Sequence, residues 1–151
     1  MTPALNPEYL ARLYRIINES PFPSHLPMRL TDMTMDTSRV ELDIAECHMQ
    51  PFGIVHGGVI ATLVDTATFW AGIGPLAEDS GLVNVDLKLN YLESATQGRL
   101  VATGRRIRAG RTTSYTEAYV HTGEGRLIAH GTSTLMALPG KGIAVGVPKF
   151  L

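Results

Sequence analysis

Apolar residues recur at helical spacing at Leu10, Leu13, Ile16 and Ile17, behind Asn6-Pro7-Glu8. That tripeptide supplies an N-cap side chain, a proline where no N–H is needed and a favourable acid, so a helix is expected over about residues 7–19. Ser20-Pro21-Phe22-Pro23 is expected to end it. Two short strands are expected around Met28–Met35 and Arg39–Ile44, with Asp36-Thr37-Ser38 as the turn between them.

From His56 to Ala77 runs the least polar part of the chain, opened by Gly57-Gly58 and closed by Gly72, Gly74 and Pro75. Its only carboxylate is Asp65, and it holds no lysine or arginine. A helix apolar nearly all round must be wrapped by other structure. Val83, Val85, Leu87, Leu89 and Tyr91 then alternate with Asn84, Asp86, Lys88 and Asn90, the period of a strand. Leu100–Arg108, Thr112–His121 and Leu127–Met136 follow as strands, joined by the short links Ala109-Gly110-Arg111 and Thr122-Gly123-Glu124-Gly125. Short links make antiparallel neighbours. The expected class is α+β: a long central helix wrapped by an antiparallel sheet, in one domain spanning residues 1–151 with its core over about 26–138. The Gly- and Pro-bearing tail, 139–151, is either free or docked, and no repeat or linker interrupts the chain.

Composition narrows the function. With 151 residues, 44% hydrophobic and 18% charged, the chain can bury a sizeable core and is too apolar for disorder. A net charge of -1 offers no general field for nucleic acid or an anionic membrane. The single cysteine, Cys47, excludes an internal disulfide framework and a cysteine-rich metal site. Met1–Glu8 lacks the pattern of a secretory signal, and no apolar run approaches the ~20 residues of a membrane span. A cytoplasmic protein without metal or organic cofactor is expected.

Asp65 is the first residue that invites chemistry. A carboxylate in an uncharged helix either hydrogen-bonds a neighbour, for which Thr62, Thr66 and Thr68 stand close, or is kept for function. His56-Gly57-Gly58 sits where the same helix starts. Unpaired N–H groups there stabilise anions and developing oxyanions, although taken alone the glycines only make a tight turn. Eight residues of helix between Gly57 and Asp65 rise roughly 12 Å. One substrate carbonyl cannot touch the Gly57 N–H and also meet a water held by Asp65 of the same helix. A site using both must take one from each of two subunits.

The stretch from Gln50-Pro51-Phe52-Gly53-Ile54-Val55-His56-Gly57-Gly58 to Leu63-Val64-Asp65 resembles the hotdog-fold acyl-CoA thioesterases, in the branch of the phenylacetate-degradation and 4-hydroxybenzoyl-CoA enzymes. The likeness continues through Val83–Tyr91, Gly110-Arg111-Thr112 and Ile128-Ala129-His130-Gly131, covering about Leu26 to Leu138. It implies a hotdog fold with five or six antiparallel strands, and homodimers often doubled into homotetramers. It also implies that Asp65 is general base or nucleophile, that the Gly57 N–H polarises the thioester oxygen, and that Gln50 binds the carbonyl or orients water. His56 would position the loop. Asn84 stands where relatives carry a small hydroxyl residue near the attacking water, and Phe69 where some carry Ser or Thr.

Arg105, Arg106, Arg108 and Arg111 gather at one hairpin, where Arg106, Arg108, Arg111 and the adjoining Thr112 are candidates for the phosphates of coenzyme A. In a regular strand Arg106 and Arg108 share a face and Arg105 lies opposite. Phe69, Trp70 and Ile73 read as core or interface packing before they read as an acyl pocket. Two other functions fit the same residues. A non-catalytic acyl-CoA binding module needs an output that this chain has little room for. A hydratase or dehydratase needs a histidine paired with an acid for proton transfer, and the hydratase-type Asn-Pro-His pattern is missing.

Overall fold

The least polar segment becomes the axis of the molecule. In the computed structural model, which describes residues 3–151, the elements run α1 (Pro7–Asn18), α2 (Pro21–His25), β1 (Met28–Met33), β2 (Thr37–Asp43), a 3-10 turn Glu46–His48, α3 (Gly57–Ile73), β3 (Gly81–Asn84), β4 (Lys88–Tyr91), β5 (Arg99–Ala109), β6 (Thr113–Thr122) and β7 (Leu127–Leu138). Met1 and Thr2, part of the opening segment read for a signal, lie outside the described residues. One antiparallel sheet in the order β1-β2-β5-β6-β7-β3 curls around α3, with β4 also on β7. This is the expected α+β hotdog architecture. It has seven strands because the segment expected as one strand from Val83 to Tyr91 is two.

The break in that strand has a local cause. Asp86 turns inward on its neighbour: its carboxylate accepts from the Thr134 N–H at 2.8 Å and its carbonyl from Ser133 Oγ at 2.7 Å. Of the apolar positions that alternate along it, Leu89 packs against the core while the others face out. Val83, Val85, Leu87 and Leu92 are all exposed along this edge of the sheet.

Packing between helix and sheet is tight. Leu63, Val64 and Ala67 of α3 meet Leu100, Ala102, Ala118, Val120 and Leu135, all fully buried. Each large apolar side chain taken out of water contributes ~1.5–3 kcal/mol. Gly104 in β5 makes the approach possible, since a Cβ there would lie 2.2 Å from the carbonyl oxygen of Ala67. Ser38 adds a hydroxyl donated to that same oxygen at 2.6 Å. The opposite side of α3 is not wrapped. Gly58 and Asp65 are exposed, with Thr62 and Phe69 half-buried between and beyond them, a stripe at helical spacing that the sheet leaves open.

Both ends of the chain differ from a plain reading. Pro21 and Pro23 do not simply stop α1; after Ser20 they begin α2, because proline fits the first turn of a helix as well as it breaks an interior one. The tail is docked. Phe150 bridges Leu5, and Asn6 N–H donates to the Lys149 carbonyl at 2.9 Å. The Lys149 ammonium is buried at the end of α3 and donates to the carbonyls of Ile73 and Leu76 at 2.8 and 2.7 Å, serving as its C-terminal cap.

Candidate active site

The N-terminal end of α3 is built around its cap. His56 has extended backbone, and its Nδ1 accepts the Gly58 N–H at 2.8 Å, so the ring holds the helix start. Its main-chain N–H donates to the carbonyl of His48, at 2.8 Å. His48 is itself buried, with Nδ1 accepting from Ala45 N–H and Nε2 beside the Leu26 carbonyl. It anchors the segment that carries Gln50, a role with no signal in the residue pattern. With Gly58 taken by His56, the Gly57 N–H has no acceptor among the described residues.

Gln50 stands on the adjoining turn. Its side-chain oxygen accepts from the Phe52 N–H, which fixes the amide orientation and leaves both hydrogens of Nε2 to donate elsewhere. Gln50, Gly57, Tyr91 and Leu92 together line a cleft of ≈ 340 Å³. Tyr91 donates its hydroxyl to the Gly57 carbonyl at 3.2 Å, and its ring comes so close that a Cβ on residue 57 would meet it at 3.2 Å. Any larger residue at 57 would press on the Tyr91 ring and displace it.

Asp65 lies elsewhere. It opens into a second, mainly apolar cleft of ≈ 310 Å³ between α3, α1 and the tail, and no residue lines both clefts. The three nearby threonines are not its partners. Thr62 donates to the Gly58 carbonyl, Thr68 to Val64 and Asp65 carbonyls, and Thr66 faces the sulfur of Met28. Among the described residues the Asp65 carboxylate makes no hydrogen bond or ion pair. It was expected to be buried, yet it is exposed in the protomer, because it falls on the uncovered stripe of α3. The protein packed on its other sides still desolvates the carboxyl and holds its pKa above the ordinary carboxylate value.

The remaining candidates are distributed more widely. Asn84 lines neither cleft: its amide donates to Ser133 Oγ at 3.0 Å and reaches Thr68 Oγ1, one turn beyond Asp65, at 3.5 Å. The arginines do not keep the expected faces. The register of β5 on β6 shifts between Arg106 and Arg108, placing Arg105 and Arg108 on the face of Glu117 and Tyr115, and Arg106 on the opposite face with Thr116. The bulge at Ile107 is the reason. Arg106 pairs with Asp36, and Arg105 with Glu117 at 2.5 Å. Arg108, Arg111 and Thr112 are exposed, and neither arginine has an ion-pair partner among the described residues. Among those residues no three His, Cys, Asp or Glu side chains gather as a metal site, and no helix is long and apolar enough to cross a membrane.

This arrangement has relatives. The sequence profile of the thioesterase superfamily matches residues 52–129, the span from the turn after Gln50 to the start of β7. The acyl-coenzyme A thioesterase 13 of Homo sapiens is 32% identical over 96 residues, 62% of this chain and 68% of that protein. Among solved structures, a thioesterase from Haemophilus influenzae superposes with a TM-score of 0.78 at 27% identity, covering 84% of this chain and 88% of its own. A thioesterase family protein from Silicibacter pomeroyi gives 0.80 at 26% identity, covering 87% and 99%.

Proposed function

The chain belongs to the thioesterase superfamily and is a thioester hydrolase, and from that premise we propose that it hydrolyses acyl-CoA at a site shared by two subunits, with Asp65 as the catalytic carboxylate. The observation that carries this reading is the carboxylate itself: unpartnered, in an apolar cleft, with its pKa raised, on a helix whose oxyanion-type donors open into a different cleft. A carboxylate kept without partners serves no structural purpose, and a raised pKa makes it a better proton acceptor near neutrality.

In this mechanism the thioester carbonyl lies against the Gly57 N–H and the Gln50 Nε2 of one subunit. Asp65 of the other takes a proton from water as the water oxygen bonds to the thioester carbon, or its own oxygen forms that bond first. Negative charge gathers on the carbonyl oxygen, where the two donors stabilise it. The carbon–sulfur bond then breaks and coenzyme A leaves as the thiolate, to be protonated by solvent. Where Asp65 attacks directly, water then hydrolyses the anhydride it has formed. His56 holds the helix start and carries no proton. Arg108, Arg111 and Thr112, exposed at the β5–β6 hairpin, are the groups offered to the coenzyme A phosphates, whereas Arg106 is engaged with Asp36.

The shared site needs a dimer, and two features support one. Val83, Val85, Leu87 and Leu92 form an exposed apolar edge beside unpaired strand backbone, which a monomer would expose to aggregation. The open stripe of α3, bearing Asp65, also awaits a cover. Pairing these edges in a homodimer, itself able to double into a homotetramer, buries both. The test is thiol release from a panel of acyl-CoA thioesters by the wild-type chain and by Asp65→Asn. Loss of release in the variant with its fold and assembly intact is expected. Unchanged release removes Asp65 from the chemistry, and no release by the wild-type chain leaves the binding-module reading of the cleft.

A further inference from the structure

The cleft at Asp65 has walls that the family match does not reach. Ile16, Ile17, Phe22 and Met28 come from α1, α2 and β1, and Ile143 from the docked tail; all lie outside residues 52–129, and only Thr66, Phe69 and Trp70 join Asp65 from within. The helices and the tail therefore shape this space independently of the machinery that the superfamily shares. Phe22 and Ile143 are 57% and 40% exposed, with apolar surface turned to the opening that Asp65 shares.

The two hydroxyls in the cleft are already committed as donors. Ser20 donates its hydroxyl to the Ile17 carbonyl at 2.5 Å, and Thr66 faces the Met28 sulfur at 3.8 Å. Among the described residues Asp65 is the one charged side chain lining it. A carboxylate on the bound group would meet no lysine or arginine among the lining residues, would face the charge of Asp65 and would lose its water, at a cost of a few kcal/mol. The part of this cleft formed by one protomer, ≈ 310 Å³, holds about ten carbon-sized groups at roughly 30 Å³ each.

Ile143 is held firmly enough to act as a wall. The neighbouring Gly142 N–H donates to the Asp79 carbonyl at 2.8 Å, and further along the tail Lys149 is fixed both by its main-chain N–H on Glu78 and by its ammonium on the end of α3. We propose that this cleft is the acyl chamber, that it takes uncharged apolar acyl groups of up to about ten carbons, and that Ile143 and Phe22 set that limit. The proposal rests on acyl-CoA hydrolysis at Asp65.

The experiment measures kcat/KM for straight-chain acyl-CoA thioesters from butanoyl to hexadecanoyl, with adipoyl-CoA set against hexanoyl-CoA. Each methylene buried in the chamber is expected to raise kcat/KM about fourfold until the space is full. The rise should stop near decanoyl in the wild-type enzyme. Ile143→Ala should carry it two or three methylenes further, Ile143→Trp should stop it earlier, and adipoyl-CoA should be turned over at least tenfold more slowly than hexanoyl-CoA. Phe22→Ala, on a different element, should also move the limit to longer chains, which keeps the test intact should the tail variants unfold. Thiol release whose length limit is the same in all four proteins, or adipoyl-CoA turned over as fast as hexanoyl-CoA, overturns the chamber while leaving acyl-CoA hydrolysis standing. No thiol release from any of these thioesters by the wild-type enzyme overturns both.

Discussion

Lys149→Met removes the ammonium that closes the end of α3 and keeps a hydrocarbon of similar length. In the native protein Lys149 is 2% exposed and its ammonium gives two hydrogen bonds, at 2.8 and 2.7 Å. Hydrogen bonds from a charged donor contribute ~1.5–3 kcal/mol each, but burying the charge offsets part of that. The offset is visible in the pKa: desolvation pulls the lysine from 10.5 down to about 8, with the Glu78 charge acting the other way. That shift corresponds to a penalty of roughly 3 kcal/mol on the charged form. At pH 7 the substitution should therefore cost about 2–3 kcal/mol, since two helix-end carbonyls lose their donors while the penalty disappears.

Between pH 8 and 10.5 the unfolded chain still binds the proton that the folded chain has released. Stability of the wild type rises with pH across that window, and the neutral amine keeps two N–H groups for the two carbonyls. The gap between wild type and Lys149→Met should widen by up to about 3 kcal/mol from pH 8 to 10.5 and stay flat below pH 7. Urea titrations of both proteins at matched protomer concentration measure it. A gap that stays constant or narrows above pH 8 would refute the buried, desolvated lysine and with it the firm anchoring of the tail.

Three other outcomes follow from the same geometry. Asp65→Asn should abolish thiol release yet raise the denaturation midpoint at neutral pH, because a carboxylate with a raised folded pKa destabilises the folded state once pH exceeds its unfolded value; for the same reason kcat/KM of the wild type should climb with pH through an apparent pKa above the usual carboxylate range, and a profile flat through the acid limb would contradict it. Gln50→Ala should lower kcat by about 10²–10³-fold with little change in stability, as measured by steady-state thiol release and thermal melting. Val85→Lys places a charge on the exposed apolar edge and should shift sedimentation from dimer to monomer while abolishing activity; an unaltered dimer would move the interface elsewhere.

Much of the fold was legible because it rests on periodicity. The helix boundary at Gly57 and the three long strands follow from patterns that local sequence specifies. What was not legible depends on contacts between distant residues. Val83, Val85 and Leu87 have the alternation of a buried face, but only a partner surface would bury them, and the inward turn of Asp86 that splits the strand depends on Ser133 and Thr134. A bulge at Ile107 reverses the faces of the arginines, and nothing in Arg105-Arg106-Ile107-Arg108 announces it. Asp65 stood out by composition alone, as the one carboxylate of an apolar helix. Its missing partners and its separation from Gln50 and Gly57 needed coordinates. Lys149 and Ile143 sit in a tail whose glycines and prolines carry no pattern, so their burial and placement had no signal in the sequence.

Activity recovered by mixing two inactive chains tests the shared site most directly. Asp65→Asn and Gln50→Ala are each assayed alone, then co-expressed with separable tags or unfolded and refolded together. In a mixed dimer one site carries both defects and the other carries neither. With random pairing, half the dimers are mixed and half the sites in them are intact, so about a quarter of wild-type activity should return. A mixture that stays at the sum of the two variants alone would place Asp65 and Gln50 in the same subunit's site and contradict the proposal.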